Sequence, residues 1–307
     1  MLKIKILVTG GAGYIGSVVV KRLCEQNHDV IVIDNLKKGK QELIHKNAKL
    51  IKIDLKDDIE PIFQNNNFDA VFHFAAAKDA GESMKNMTPY SENITNFIKI
   101  LGLMTKYSVK KIIFSSSAAV YGNPNGNLID ESHPLEPINY YGFSKLECER
   151  ILKWYSDLKG IIGISLRYFN VAGDELGYLD PNAKNVFPII GEVIQGKRDS
   201  FQIFGDDYET KDGTCIRDYI HVSYLADAHV LALNQNETDV FNLGSGKGYS
   251  VKELLASFNN PPSIVVSRRE GDPPSLVCSY DKSKEILSWE PKKTLKDMVE
   301  STIKLYK

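Results

Sequence analysis

Lys3-Ile4-Lys5-Ile6-Leu7-Val8-Thr9-Gly10-Gly11-Ala12-Gly13-Tyr14-Ile15-Gly16 reads as a strand, a tight turn and the opening of a helix, and the fold is read outward from it. The first seven residues are a β-rich run whose β-branched and aliphatic side chains suit a buried pleated surface. Glycines at 10, 13 and 16 let the backbone approach a pyrophosphate, and the helix that follows, through about Gln26, offers free N–H donors and a positive dipole end. Glycines alone would fit any βα turn. Here a second strand, Asp29 to Ile33, ends in Asp34, which supplies the context of a dinucleotide-binding turn. Asp34 stands 18 positions after Gly16, near the ~20 expected of the acid that holds an adenosine ribose. A carboxylate there repels a 2′-phosphate, so NAD is expected over NADP, with Asn35 as a second ribose contact.

Further along, Lys111-Ile112-Ile113-Phe114-Ser115-Ser116-Ser117 reads as a buried strand ending in serines, and Tyr141-Gly142-Phe143-Ser144-Lys145 opens a helix. The i,i+4 spacing puts a phenol and an amine on one helix face. A tyrosine ionises near pH ~10, so it becomes a base only where a cation stabilises its phenolate, and Lys145 is placed to do that. The same spacing recurs at Tyr107/Lys111, Tyr155/Lys159 and Tyr280/Lys284. What separates Tyr141/Lys145 from these is Ser117 at a strand end upstream, because ligands of α/β sheets sit at strand C-termini. Ser117, Tyr141 and Lys145 are therefore the expected catalytic set.

The chain has 307 residues, enough for one or two domains, and its 38 basic and 39 acidic residues nearly cancel, which argues against a nucleic-acid footprint. Cys24, Cys148, Cys215 and Cys278 are far apart, without metal-ligand spacing, and read as reduced cysteines of a cytoplasmic protein. The first strand begins almost at Met1, leaving no room for a signal peptide, and no apolar run reaches ~18 residues. Short apolar strands at 48–53 and 69–74 lie within helix distance of their neighbours, which implies βαβ units and a doubly wound parallel sheet of the Rossmann type. Asp54 is either an acceptor for the adenine amino group or a helix N-cap. The small residues Ala75, Ala76 and Ala77 let a cofactor lie near the backbone, and Asn93 opens a long helix at that edge. Beyond a strand at 161–167 the alternation becomes irregular. A helix is expected at 186–196, a strand at 200–204, a return to the first sheet at 240–243, and two helical patterns around a strand at 264–267. The expected division is a dinucleotide unit, 1–170 and 218–249, and a smaller α/β substrate unit, 171–217 and 250–307, with the substrate in the cleft between them.

Together, Gly10 to Gly16, Asp34-Asn35, Ser115 to Gly122, Tyr141/Lys145, Arg167-Tyr168-Phe169-Asn170 and Arg217-Asp218-Tyr219-Ile220-His221-Val222 give the chain its resemblance to the extended short-chain dehydrogenase/reductases. Within them, the chain most resembles the UDP-glucose 4-epimerase family, and the stretch from Ile203 to Val222 is the most specific part. The resemblance implies a resident NAD, a UDP-hexose substrate and a homodimer formed through helices at about 90–107 and 139–158. It places Tyr14, Ile15, Leu55, Phe74, Ala75, Ala76, Lys78, Asn93 and Tyr168 beside the cofactor. Asn170, Asn185, Val186, Ile203, Phe204, Arg217, Arg269 and Asp272 match the family's UDP-sugar contacts. The arginines also make independent sense, since guanidinium forks recognise a diphosphate.

The implied chemistry is abstraction of the sugar 4-hydroxyl proton by Tyr141, with Ser117 bonded to the same oxygen, hydride passing to and from the nicotinamide, and a 4-keto sugar that turns over in between. Dehydratases and decarboxylases of the superfamily carry carboxylates just after the active-site hydroxyl, where this chain has Ala118 and Ala119. Epimerisation of a UDP-uronate or UDP-pentose needs the same core residues as that of UDP-glucose. A dinucleotide-sensing protein without turnover would be expected to lose the Tyr/Lys pair. Leu276, four residues after Asp272, falls where the family's side-chain bulk decides whether 2-acetamido sugars fit. Being smaller than tyrosine and larger than cysteine, it is expected to admit glucose and galactose and to allow some activity on N-acetyl sugars. Asp218 and His221 read as capping and packing residues.

Overall fold

The structure, a computed structural model, describes residues 3–124, 128–179, 184–269 and 272–307. Strands β1 (Lys5–Thr9), β2 (Asp29–Asp34), β3 (Lys49–Lys52), β4 (Ala70–His73), β5 (Lys111–Ser117) and β6 (Ile162–Tyr168) pair in parallel. The chain then leaves this sheet for β7 (Asn170–Ala172), β8 (Phe201–Phe204) and β9 (Ile216–His221), and returns as β10 (Asp239–Leu243), parallel to β6. The resulting order, β10-β6-β5-β4-β1-β2-β3, reverses direction between β1 and β4. At such a reversal the helices diverge to opposite faces and leave a crevice at the strand C-termini. Gly10 follows β1 there, at φ +70, and a Cβ on it would stand 2.6 Å from Ala75 N at the end of β4. The turn therefore has to be glycine, which brings the two strand ends together at the crevice.

The strands are apolar on both faces because both are covered. One face carries α1 (Tyr14–Glu25) and α7 (Val222–Ala232), packed over Ile6, Val8, Val32 and Phe241. The other carries α2 (Glu60–Gln64), α4 (Thr88–Lys106) and α5 (Tyr140–Lys159), packed over Leu7, Ile31, Val71, Ile112 and Phe114. Between α2 and α4 lies one turn of helix, α3 (Ala80–Ser83), started by the Asp79 carboxylate accepting from Glu82 N at 2.7 Å. At the start of α5, Asn139 accepts from Gly142 N at 2.8 Å, and the helix stops at Gly160, whose φ of 65 only glycine adopts without strain.

The pieces outside this sandwich form smaller layers. β9 is flanked by β7, by β11 (Gly248–Ser250) and by β13 (Ser275–Leu276), while β8 pairs with β12 (Ser263–Val266). Helices α6 (Val186–Ile194), α8 (Val251–Ser257) and α10 (Leu295–Leu305) close their own apolar cluster around Phe187, Phe201, Leu254 and Met298. The tail differs from expectation by one helix. A further segment, α9 (Asp281–Leu287), follows β13 and lies against β10 and α7, and Trp289 beyond it is buried in the large-sheet core. Most strand ends move by one or two residues from the sequence reading, as hydrogen-bond registers at strand ends do. Among the described residues no helix is long and apolar enough to cross a membrane.

Candidate active site

The coenzyme turn is shaped by close approach. A Cβ at Gly16 would overlap Gly10 O, so the first turn of α1 can lie against the strand end only because residue 16 has no side chain. No side chain caps α1 at Gly13, which leaves its leading N–H groups, from Tyr14 to Gly16, pointing into the crevice. The Asp34 carboxylate, 9 % exposed, accepts from Ala12 N at 3.1 Å and Leu36 N at 2.8 Å, and these bonds hold it beside the turn. Asp54 is occupied: Asn35 Nδ2 donates to it at 2.9 Å, Lys37 Nζ at 3.2 Å and Lys56 N at 3.2 Å, and the first of these is the main cause of its lowered pKa. Its turn-capping role is thus visible, and Asn35 is tied to it. Leu55 is turned into the core below α4. Asn93 brackets the alanine loop, accepting from Ala77 N at 2.8 Å and donating to Ala77 O at 2.9 Å, which fixes Phe74, Ala75 and Ala76 over the switch point. This set of donors, a diol-sized acid and a small-residue wall fits an adenine dinucleotide.

At the end of β5 the three expected catalytic side chains do come together. Ser117 Oγ accepts from Ala119 N at 3.2 Å, starting the 3-10 turn Ala118–Tyr121, and bonds Tyr141. That turn and α5 touch at Gly142, where a Cβ would overlap Ala119 O. Burial pushes the Tyr141 phenol above its ordinary pKa, and the Ser117 bond offsets part of the rise. Lys145, 3 % exposed, donates to Ser115 O at 2.6 Å and lies 5.9 Å from the centre of the Tyr141 ring. Burial lowers its pKa to about 8. The three look-alike pairs lie elsewhere: Tyr107 bonds Glu60, Tyr155 and Lys159 sit toward the far end of α5, and Lys284 pairs with Glu290.

Across the crevice, Tyr14, Lys78, Val171, Asn185, Phe187 and Tyr306 line one cavity, which joins the coenzyme turn to the start of α6. Asn185 sits at the N-cap of α6 without spending its side chain on the cap, and Val186 follows it. Asn170 Nδ2 donates to Asp218 O at 3.2 Å. On β9, Arg217 Nη1 donates to Ile216 O at 2.8 Å and Nη2 to Asp272 Oδ1 at 3.1 Å, while the Arg269 guanidinium lies 4.1 Å above the Phe204 ring. Ile203 is 6 % exposed and packs in the cluster of Phe187 and Phe201. Leu276 pairs with Arg217 across β13 and β9 and packs on the cluster of Ala118, Val120 and Tyr121 under the catalytic turn. Asp218 is fully buried, accepting from Ser245 N and Oγ at 2.6 Å each and from Gly246 N at 2.9 Å, and His221 caps α7 through Ser223 N at 3.1 Å. Both are structural, as read.

Several groups beside the site escaped the sequence reading. Ser83 Oγ accepts from Tyr141 N at 3.0 Å, and Tyr90 packs edge-on to the Tyr141 ring at 6.2 Å. Tyr168, already expected beside the cofactor, bonds Ser115 and also His229, a partner the sequence reading did not single out. Because His229 Nδ1 must donate to Leu225 O at 2.7 Å, its Nε2 accepts the Tyr168 proton.

A coenzyme turn at the sheet reversal, with a Ser-Tyr-Lys set at the next strand end, defines a dinucleotide-dependent dehydrogenase-like enzyme. The chain belongs to the NAD dependent epimerase/dehydratase family, which it matches over residues 6–244. A UDP-glucose 4-epimerase of Streptococcus mutans is 44 % identical over 304 residues, covering 93 % of this chain and 91 % of that one. The UDP-glucose 4-epimerase of Brucella ovis, solved in complex with NAD, superposes with a TM-score of 0.93 at 34 % identity, covering 99 % and 98 % of the two chains. The UDP-Glc/GlcNAc 4-epimerase of Campylobacter jejuni superposes with a TM-score of 0.87 at 38 % identity, covering 99 % of both.

Proposed function

We propose that the protein interconverts UDP-glucose and UDP-galactose, with NAD bound throughout the cycle. The observation that carries the proposal is the meeting of Ser117, Tyr141 and the buried Lys145 at the end of β5, with alanines at 118 and 119 where acid–base chemistry beyond epimerisation would need carboxylates. NAD is held by Gly10 to Gly16 and by Asp34, and Phe74 to Ala76, Lys78 and Tyr168 border it. The nicotinamide supplies the hydride acceptor and donor. Tyr141 takes the proton from the sugar 4-hydroxyl and returns it from the same position, while the Ser117 hydroxyl bonds the reacting oxygen. Lys145, protonated below about pH 8, places its charge under the tyrosine ring. Arg217 and Arg269 hold the diphosphate, with Asn170, Asn185, Val186, Ile203, Phe204 and Asp272 around the nucleotide. The expected division, 1–170 and 218–249 for NAD and 171–217 with 250–307 for the UDP-sugar, is kept here except that α9 and Trp289 pack on the NAD-side sheet. The test is to incubate purified protein with UDP-galactose and no added NAD. UDP-glucose should accumulate to an equilibrium mixture, and its absence would reject the assignment. A panel with UDP-uronates and UDP-pentoses reads the same core on rival sugars.

Leu276 sets the sugar range in this reading. It faces the catalytic turn from β13, so its bulk meets the substituents of the sugar rather than the nucleotide. Leu276→Tyr is expected to lower kcat/KM for UDP-N-acetylgalactosamine by about tenfold or more relative to UDP-galactose, the scale of a steric misfit in an apolar pocket. An unchanged ratio between the two substrates would refute the gate.

The protein is assigned to the cytoplasm, in keeping with four free, buried cysteines, and to a homodimer built on α4 and α5. Trp154 and Leu158 on α5 are 66 % and 68 % exposed and Ile98 on α4 is 41 % exposed, more apolar surface than one sheet-covering layer needs. Light scattering should give a dimer mass, and a monomer at micromolar concentration would remove this part of the proposal.

A further inference from the structure

Below the catalytic set lies a buried polar network that the proposed chemistry does not use. Glu149 and Arg167, with side chains 7 % and 4 % exposed, form a two-pronged ion pair: Nη2 to Oε2 at 2.7 Å and Nε to Oε1 at 3.1 Å. The Ser116 hydroxyl also donates to Glu149, and Arg167 Nη1 donates to the Tyr121 hydroxyl at 2.9 Å. Tyr121 passes the chain on to Asn242 Oδ1 at 2.7 Å, and Asn242 N donates to Glu131 at 2.6 Å. The network thus grips both ends of the segment that carries Ser117, at Ser116 before it and at Tyr121 after it. Its carboxylate sits one helical turn beyond Lys145, a spacing of about 5–6 Å between Cβ atoms.

We propose that Glu149 and Arg167 are positioning residues for this reaction, fixing the Ser117 turn against α5 and setting the pH at which Lys145 gives up its proton. The inference rests on the Tyr141/Lys145 reading above. Few other charges compete for Lys145. From β4, His73 is held neutral by burial, at about 3. From α5, Cys148 is pushed up to about 12, and Tyr141 is raised as well. From β6, Tyr168 is raised, as are Tyr90 on α4 and Tyr121 in the 3-10 turn. His229 on α7, behind Tyr168, is lowered to about 4. β5 offers only hydroxyls and carbonyls, and Glu131, itself raised by burial, lies beyond Arg167. The ionic surroundings of the ammonium are therefore the Glu149 carboxylate, which favours its charge, and the Arg167 guanidinium, which that carboxylate neutralises.

The sign of each change follows. Glu149→Gln removes the favourable anion and uncovers a cation, so Lys145 should deprotonate earlier. Arg167→Met uncovers the anion, so Lys145 should deprotonate later. With the dinucleotide-loaded enzyme and UDP-galactose, the alkaline limb of kcat against pH should move down by about one unit in the first variant and up in the second. KM should stay within about twofold in both, because neither side chain touches the nucleotide contacts. A structural defect alone would lower kcat without separating the two limbs. Limbs that superpose on the parent, or move in the same direction, overturn the inference; if one variant does not fold, the direction of the other decides. A parent that shows no turnover rejects the epimerase reading and this inference with it, whereas an active parent with unmoved variants rejects the inference alone.

Discussion

Tyr141→Phe is expected to lower kcat by about a thousandfold while leaving the fold and the bound dinucleotide in place. The size follows from what is removed: one positioned acid–base group contributes ~10²- to 10⁴-fold, and here the same atom must both take and return the proton. The retained ring keeps its edge contact with Tyr90 at 6.2 Å and its place above Lys145. Only the bond to Ser117 is lost, so the thermal midpoint should shift by no more than a few degrees. Ser117 is not equipped to replace the phenol, because an aliphatic hydroxyl is a far weaker acid than a phenol and does not form its anion near neutral pH. In the protein without coenzyme, burial holds the phenol protonated through neutral pH. The base therefore needs positive charge beyond that of Lys145, which a bound nicotinamide would supply. Measured kcat for UDP-galactose, with the dinucleotide released on denaturation quantified in both proteins, tests the prediction. A variant with more than about a tenth of the parental kcat would move the base to another residue.

How much of this was open to sequence reasoning varied with the range of the interactions. The first βα unit was legible because every determinant is local: the apolar run, the glycines whose Cβ atoms have no room, and the acid at the end of the next strand. β5 matched its expected span, Lys111–Ser117, since a buried parallel strand is a continuous apolar run with polar residues only where it reaches the crevice. Short elements were not legible. α3 has four residues and α9 seven, too few for a helical period to show. Nor were partners brought together only by folding: Glu149 and Arg167 lie 18 residues apart on a helix and a strand, and Tyr168 and His229 lie 61 apart on β6 and α7. Ile203 was placed beside the nucleotide by resemblance alone, and folding packs it in the cluster of Phe187 and Phe201.

Arg217→Leu should raise the KM for UDP-galactose about a hundredfold with a much smaller fall in kcat. In the structure this guanidinium is already oriented, one N–H spent on Ile216 O at 2.8 Å and one on Asp272 at 3.1 Å, and its side chain is only 12 % exposed. Arginine has five N–H donors, so those that remain can fork onto a diphosphate without further ordering of the side chain. A charge-assisted bond is worth ~1.5–3 kcal/mol, and losing two of the weaker sort is about 3 kcal/mol, or roughly a hundredfold in affinity. The variant also leaves the Asp272 carboxylate facing the phosphates without its cation, which adds to the loss. The division between KM and kcat follows from what an epimerase must do with its substrate. Hydride has to leave one face of the sugar carbon and return to the other, so the ring must turn over while the molecule stays bound. Grip on the sugar would oppose that turn, whereas grip on the diphosphate is the same before, during and after it. Binding that is uniform along the reaction lowers KM without changing kcat, and removing it should be visible in KM alone. Arg269 is held differently, by stacking on Phe204 at 4.1 Å, and stays exposed at the mouth. Should Arg217→Leu leave KM within about threefold of the parent, the diphosphate must lie against Arg269 instead, and the fixed pivot would then be a mobile side chain rather than one tied into β9.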